Sequence, residues 1–201
     1  MVLTSMTGSG TFSSENVAAF LDSYEAQTAF IENVIPILLS KGYYGADIDF
    51  EFIPPQYSVI FADFVARFAQ ALNENGLILF VALAPKIAPD QPGLLYEGHN
   101  YSLLGSASNY VLVMTYEWGY TYGPPLAVAP IDQVRRVVDY AVSEIDPVKL
   151  LLGIPNYGYD WQLPYEKGVT AARSLGNEEA VALAARYGAE IEYDAASAAP
   201  Y

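Results

Sequence analysis

Short apolar runs of strand length recur along the chain, and the gaps between them hold segments with the i, i+3, i+4 apolar spacing of helices. The predicted strands span residues 1–6, 46–53, 77–84, 110–116 and 149–156. The predicted helices span residues 14–21, 25–40, 57–73 and 131–145, whereas 91–108 predicts a loop with a short helix. The chain therefore alternates strands with helices.

This alternation predicts the α/β class. Strands separated by helical segments pair in parallel through right-handed crossovers, in an open α/β sheet or in a (β/α)8 barrel of the TIM type. A closed barrel has eight strands and about 250 residues, whereas only five strands are predicted in these 201 residues. Because residue 1 already falls within a predicted strand, we expect the sequence to be a fragment of a barrel.

The last part of the chain departs from this alternation. After a predicted loop over 160–170, residues 177–187 have the pattern of a helix and 189–193 that of a short strand. We therefore expect a partial (β/α) barrel, the catalytic domain, over residues 1–165. Residues 166–201 are expected to begin an inserted α+β subdomain.

Three acidic residues occupy alternate positions of the predicted strand 46–53, namely Asp47, Asp49 and Glu51. Side chains alternate across a strand, so all three carboxylates point to one side. The other side is apolar and suits packing beneath helices: Ala46, Ile48, Phe50 and Phe52. Buried carboxylates repel one another and are costly to remove from water, which indicates a chemical role for the row.

Glu51 is the carboxylate nearest the carboxyl end of its strand, the end at which barrel enzymes place their chemistry. Crowding and partial burial favour the neutral form of a carboxyl group, so we expect Glu51 to act as a general acid. Two other interpretations stay open. The row could be the solvated face of an edge strand, or it could bind Mg²⁺ or Ca²⁺, although a strand spreads the oxygens along a line and His99 adds no ligand.

Composition narrows the range of partners. The formal net charge of −14 argues against binding to nucleic acid or to anionic membranes. The chain has no cysteine, and no stretch is long and apolar enough to predict a membrane span. Tyrosine supplies 17 residues, and such amphipathic rings suit a groove that holds sugars. No cofactor and no metal are predicted.

The sequence of residues 47–51, Asp-Ile-Asp-Phe-Glu, resembles the acidic signature of glycoside hydrolase family 18, the family of chitinases and related N-acetylglucosaminidases. Residues 113–118 resemble the sixth strand of the family and residues 153–158 its seventh. On this correspondence the predicted strands are the third to the seventh of the barrel. Residues 42–45, 115–119 and 156–161 are most similar to the bacterial spore cortex-lytic and spore germination subgroup.

The resemblance implies a retaining mechanism in which the substrate supplies its own nucleophile. Glu51 would protonate the glycosidic oxygen, and the 2-acetamido carbonyl of the sugar would attack the anomeric carbon. Asp49 would accept the acetamide N–H, Asp47 would share charge with Asp49, and Tyr116 would donate to the acetamide oxygen. The family often has Asp where this chain has Tyr44 and Glu117, which alters the charges around this row.

The resemblance also implies a group of substrate-binding residues. They are Met114, Glu117, Trp118, Asn156, Tyr157, Tyr159, Trp161 and Lys86. The aromatic members suit stacking on sugar rings or, alternatively, ordinary packing. Lys86 could meet a carboxylate of muramic acid or of its peptide stem, or it could be a solvated surface lysine. His99 is expected at the surface.

The expected substrate is an N-acetylated amino-sugar glycan, cleaved beside N-acetylglucosamine. Peptidoglycan is favoured by the bacterial subgroup, and chitin is the alternative. A lectin-like relative that binds such polymers without cutting them is a third hypothesis, which the presence of Glu51 disfavours. The resemblance further implies a location in the cell wall, in the spore envelope or outside the cell, and lysin-motif modules in the parent protein.

Overall fold

Five parallel strands form one sheet in the computed structural model, which describes all residues 1–201. The strands neighbour one another in chain order. They are β1 (Val2–Thr4), β2 (Gly45–Asp49), β3 (Ile78–Leu83), β4 (Tyr110–Val113) and β5 (Leu150–Leu152). This order and direction confirm the predicted α/β class with a parallel sheet.

Helices occupy the connections between these strands. Their bounds are α1 (Ser14–Leu21), α2 (Tyr24–Ser40), α3 (Ser58–Glu74), α4 (Leu94–Glu97), α5 (Tyr101–Ala107) and α6 (Ile131–Glu144). The side chains of Ser13, Ser23 and Asn100 accept backbone N–H bonds at the starts of α1, α2 and α5. None of the helices combines the length and the apolar character that a membrane span requires.

The chain divides into two compact units. The first, called here the sheet unit, comprises Met1–Met114 and Asp139–Leu152. The second, the hairpin unit, comprises Thr115–Val138 and Gly153–Tyr201. The boundary expected at residue 165 stays a prediction, and an antiparallel strand pair of the hairpin unit runs across it.

Phenylalanine rings form the centre of the sheet unit between β2 and its covering helices. The ring of Phe64 on α3 lies 4.9 Å from Phe20, 5.8 Å from Phe30 and 6.0 Å from Phe68, centroid to centroid. Phe50, which follows β2, stacks on Phe64 at 6.4 Å. Edge-to-face and stacked rings at these distances attract one another beyond simple burial, so this cluster fixes the helices on one face of the sheet.

The observed strands are shorter than predicted because the apolar pattern continues into the loops that leave them. Strand β2 ends at Asp49, four residues before the predicted end at residue 53. Phe52 was expected to pack beside Phe50, and this was wrong. Its backbone has a φ of 55°, its side chain is half-buried, and its ring lies 6.1 Å from that of Phe12.

The hairpin unit contains two antiparallel strand pairs and a helix. Strand β6 (Tyr157–Asp160) pairs with β7 (Arg173–Gly176), and β8 (Tyr193–Asp194) pairs with β9 (Ala199–Pro200). Helix α7 (Asn177–Tyr187) begins and ends where it was predicted. The predicted strand over 189–193 was wrong for most of its length, since β8 begins only at residue 193, next to a backbone pair between residues 192 and 201. Strands β6, β7 and β9 were not predicted.

The substitution Phe64→Ala tests the aromatic centre of the sheet unit. Phe64 is fully buried and contacts rings from α1, α2, α3 and β2's end. Removing a ring from such a site costs transfer free energy and leaves a cavity, so we expect the free energy of unfolding to fall by about 3–5 kcal/mol. Denaturant titration measures it, with the exposed Val59→Ala on the same helix as control. A loss below about 1 kcal/mol would contradict the assignment.

Candidate active site

Asp47 and Asp49 lie on the face of β2 that the helices do not cover. Their neighbours in the strand, Ala46 and Ile48, are buried on the opposite face. The parallel register sets Asp47 beside Val2 and Phe80, and it sets Asp49 beside Thr4. Both carboxylates are half-buried. The sheet unit thus presents these two aspartates away from its phenylalanine core, as the alternation predicted.

The two aspartates lose hydrogen bonds to water on burial, and the protein does not fully replace them. The Oδ1 atom of each is buried and has no hydrogen-bond partner. Burial, reinforced by the charge of Asp49 and opposed by the N-terminal ammonium, raises the pKa of Asp47 to about 6. Burial also raises the pKa of Asp49. A proton is therefore held at Asp47 in mildly acidic solution, and the row carries less charge than its sequence suggests.

Glu51 stands two residues beyond the end of β2, with a half-buried side chain. The peptide carbonyls on both sides of it accept side-chain hydrogen bonds. The Nε2 atom of His99 lies 3.0 Å from the oxygen of Phe50, and the hydroxyl of Ser14 donates to the oxygen of Phe52 at 2.8 Å. The backbone that carries Glu51 is held at two points.

His99 was expected at the surface, and this was wrong. Its side chain is completely buried, and its Nδ1 atom accepts the N–H of Ala84 at 2.9 Å. Burial lowers the pKa of His99 to about 4, so the ring is neutral at physiological pH. The partners of His99 lie 15 and 49 residues away in sequence, and no local pattern around residue 99 indicates them.

Lys86 is also buried, with 2% of its surface exposed. Its ammonium donates to the carbonyl oxygens of Pro89, at 2.9 Å, and His99, at 3.1 Å. Burial lowers the pKa of Lys86. The solvated alternative for Lys86 was therefore wrong, and its expected contact with a substrate carboxylate stays a prediction.

In the hairpin unit, aromatic side chains form a row. Tyr157 and Tyr159 alternate along β6, and Trp161 continues the same spacing just after it. Adjacent ring centroids are 5.9 Å and 5.7 Å apart. The ring of Tyr116 lies 6.5 Å from that of Tyr157. All four rings are half-buried, which leaves part of each ring open for contact with a ligand.

Glu117 organises this row from the side. Its Oε1 atom accepts the hydroxyl of Tyr157 at 2.5 Å and that of Tyr159 at 2.7 Å. Burial and these bonds raise the pKa of Tyr157, and they raise that of Tyr159 to about 12. The indole N–H of Trp161 donates to the oxygen of Gly123 at 2.9 Å. Three rings of the row therefore have fixed orientations.

Three predicted site residues remain, one in the sheet unit and two in the hairpin unit. Met114 is half-buried, and its N–H extends the sheet by donating to Leu83. Trp118 is half-buried, and its backbone N–H donates to the carbonyl oxygen of Val128. Asn156 is exposed between β5 and β6. Their substrate contacts stay predictions. No group of three or more His, Cys, Asp or Glu side chains could hold a metal ion.

The model of the glycosyl hydrolases family 18 matches residues 2–201. The chain belongs to this family. The similarity recognised in residues 47–51 is thereby confirmed, and so is the likeness to the spore cortex-lytic subgroup, because the curated relatives include proteins with that description. The chain is 35% identical to the cortical fragment-lytic enzyme of Bacillus subtilis over 201 residues, 100% of the chain and 46% of that protein.

The chain spans about half the length of the curated relatives that it matches. For the cortical fragment-lytic enzyme of Bacillus anthracis, the identity is 34% over 192 residues, 96% of the chain and 44% of the relative. The spore cortex-lytic enzyme SleL of Bacillus megaterium has a crystal structure that matches the whole chain and 46% of its own, with a TM-score of 0.92 and 39% identity.

A chitinase structure is similar as well. That of Chromobacterium violaceum matches 99% of the chain and 61% of its own length, with a TM-score of 0.88 and 30% identity. The family 18 member described here therefore has structural relatives that are named as a spore cortex-lytic enzyme and as a chitinase.

The substitution Asp47→Asn tests whether the partly buried carboxylate of Asp47 lowers the free energy of unfolding. The pKa of Asp47 is about 6 in the folded protein against an ordinary value of 3.8, so the contribution of Asp47 to the free energy of unfolding falls as pH rises from about 4 through 6. We expect the variant to exceed wild type by about 1–2 kcal/mol at pH 8, after allowance for solvent screening, and to match it at pH 3.5.

Urea unfolding at the two pH values measures this difference. The exposed Asp63→Asn on α3 makes the same change in charge and is the matched control. If Asp47→Asn were no more stable than wild type at pH 8, or were more stable by the same amount at both pH values, the carboxylate of Asp47 would not be the group that lowers the free energy of unfolding.

Proposed function

We propose that this family 18 member hydrolyses β-1,4 glycosidic bonds next to N-acetylglucosamine in peptidoglycan of the spore cortex or cell wall. The observation that carries the proposal is the pair Asp47 and Asp49 on the uncovered face of β2, with Glu51 two residues beyond the end of that strand. The 35% identity to a cortical fragment-lytic enzyme supports peptidoglycan as the glycan.

In this proposal Glu51 is the proton donor. It protonates the glycosidic oxygen as the bond to the anomeric carbon breaks, and the leaving sugar departs as an alcohol. The carbonyl oxygen of the 2-acetamido group attacks the anomeric carbon from the opposite side, which forms a cyclic oxazolinium ion. Glu51, now a carboxylate, takes a proton from water as the water opens that ion, so the configuration is retained and the acid is restored.

The aspartates act on the acetamide group. Asp49 accepts its N–H, which orients the carbonyl oxygen for attack and offsets the positive charge that develops on the ring. The raised pKa of Asp47 is consistent with an auxiliary role for that residue beside Asp49. When Asp47 carries a proton, Asp49 can hold its charge without a second anion beside it.

The hairpin unit supplies the sugar-contacting residues in this proposal. Tyr116 donates its hydroxyl to the substrate, and Tyr157, Tyr159 and Trp161 offer the faces of their rings to the C–H faces of sugars. Their support is the ring spacing of 5.7 to 5.9 Å along β6 and the bonds from the tyrosines to Glu117. Fixed rings lose little conformational freedom on binding.

We propose the wider setting from the comparisons. Strands β1 to β5 correspond to strands three to seven of a (β/α)8 barrel, in line with the TM-score of 0.92 to a cortex-lytic enzyme. The same relatives support a spore-envelope location. Lysin-motif modules that bind the wall belong to this proposal for the parent protein.

The substitution Glu51→Gln in the full-length protein tests the proton donor. Glutamine has nearly the same shape but cannot release a proton, so we expect kcat on cortex peptidoglycan to fall by a factor of about 10² to 10⁴ while KM changes little. Analysis of released muropeptides by mass spectrometry measures the rate. The exposed Glu25→Gln on α2 is the matched control. Equal activity of wild type and Glu51→Gln would refute the assignment.

Chitin is the second candidate substrate, favoured by the 30% identity to a chitinase. The same assay with N-acetylglucosamine oligomers separates the two, since only peptidoglycan carries muramic acid. Hydrolysis of the oligomers and not of cortex peptidoglycan would select the chitinase function. Retained binding of either glycan by a wild type that cuts neither would select a lectin-like function.

A further inference from the structure

The backbone on both sides of Glu51 is held by side chains. The two carbonyls that flank Glu51 are bonded by side chains from distant parts of the chain. His99 reaches Phe50 from 49 residues away, and Ser14 reaches Phe52 from 38 residues away. Neither His99 nor Ser14 belongs to the acidic row or to the residues that contact sugar in the proposed function.

The bond from His99 has a defined direction. The N–H of Ala84 donates to Nδ1, so Nδ1 carries a lone pair. The ring is neutral, since burial lowers the pKa of His99 to about 4. Its single N–H is therefore on Nε2, and it donates to the oxygen of Phe50. Because Ala84 directly follows β3, His99 ties the end of β3 to the residue before Glu51.

The backbone just before His99 lies against the backbone of Ile53. A Cβ atom on the preceding residue, Gly98, would lie 2.3 Å from the carbonyl oxygen of Ile53, which is far inside van der Waals contact. The absence of a side chain at Gly98 lets the backbone pass directly against residue 53. This approach brings the imidazole within reach of Phe50.

Ser14 acts on the other side of Glu51. Phe52 has a φ of 55°, the left-handed region that residues with a Cβ atom rarely adopt. Such a conformation persists only where surrounding contacts determine it. The hydroxyl of Ser14 on the oxygen of Phe52, and the ring of Phe12 at 6.1 Å from the ring of Phe52, are those contacts. The chain turns away from the strand direction immediately after Glu51.

We propose that His99 and Ser14 are positioning residues, which hold the backbone of Glu51 at one place at the end of β2 and so fix where its carboxyl group meets the glycosidic oxygen. The proposal rests on the function proposed for Glu51. Neither residue contacts substrate. A misplacement of about 1 Å in a reacting group can lower a rate by about 10²-fold, so the loss of either bond acts on kcat.

Two substitutions of His99 separate its two bonds. Asparagine can place an acceptor near the position of Nδ1 but is too short to reach Phe50, whereas glutamine can place an N–H donor near the position of Nε2. We expect His99→Asn to lower kcat on the glycan by about tenfold or more with KM within about twofold, and His99→Gln to retain more of kcat than His99→Asn.

Ser14 offers a conservative pair. Ser14→Ala removes the bond to Phe52, whereas Ser14→Thr keeps a hydroxyl. We expect kcat to fall about threefold or more in Ser14→Ala and to recover in Ser14→Thr, since a neutral hydrogen bond contributes about 1 kcal/mol. Equal kcat values for the two variants would overturn the part assigned to Ser14.

Tyr101→Phe is the matched control for loss of stability. The hydroxyl of Tyr101 is buried and bonds the oxygen of Ala84 at 2.6 Å and the N–H of Lys86 at 3.1 Å, at the same end of β3. It makes no bond to residues 50–53. We expect a drop in melting temperature similar to that of His99→Asn, but a kcat within about twofold of wild type. If His99→Asn kept a wild-type kcat, a merely structural role would replace the positioning role.

Amide hydrogen exchange of residues 51–53 separates this proposal from the function on which it rests. We expect faster exchange in His99→Asn and Ser14→Ala than in Tyr101→Phe, because the flanking bonds are lost only in the first two. Unchanged exchange rates would refute the proposal that His99 and Ser14 hold this backbone, whatever the activity of the variants. A wild type that cuts neither peptidoglycan nor chitin oligomers, with accelerated exchange in both variants, would refute the proposed function and leave the holding intact.

Discussion

The two-faced character of β2 is the constraint on which the rest of the sheet unit depends. Ala46 and Ile48 are buried beneath the helices, while Asp47 and Asp49 occupy the other face. A shift of one residue would exchange these faces and place both carboxylates in the phenylalanine core, at a cost of several kcal/mol. The aromatic packing around Phe50 therefore fixes the direction of the acidic row as well as the stability of the fold.

Much of this arrangement was predictable because its signals are local. Alternation of acidic and apolar residues in β2 indicated the two faces without reference to any other part of the chain. The period of apolar residues predicted α1 and α7 to the residue. The alternation of strands and helices predicted a parallel sheet, since parallel neighbours need a crossover between them.

The rest depends on contacts between residues far apart in sequence. His99 is a lone histidine in a polar segment, and burial became favourable only because an acceptor and a donor lie at fixed positions on two strand ends. Lys86 is buried because the carbonyl oxygens of Pro89 and His99 accept hydrogen bonds from its ammonium group. The left-handed turn at Phe52 and the pairing of β6 with β7 likewise arise from partners that no local pattern identifies.

The unfavourable terms of the sheet unit are concentrated in one short segment. Within residues 47–52 the chain carries two carboxylate oxygens that lack partners, a pKa raised to about 6 and a left-handed phenylalanine. A sequence selected for stability alone would place apolar residues on β2 and glycine at residue 52. Strain and unpaired charge persist where function requires them and where surrounding contacts hold them. Glu51 lies within this segment, between the two carbonyls that His99 and Ser14 bind. The contacts that hold this segment fix the backbone from which the carboxyl group of Glu51 extends, and a fixed backbone favours proton transfer to a glycosidic oxygen held at a defined place.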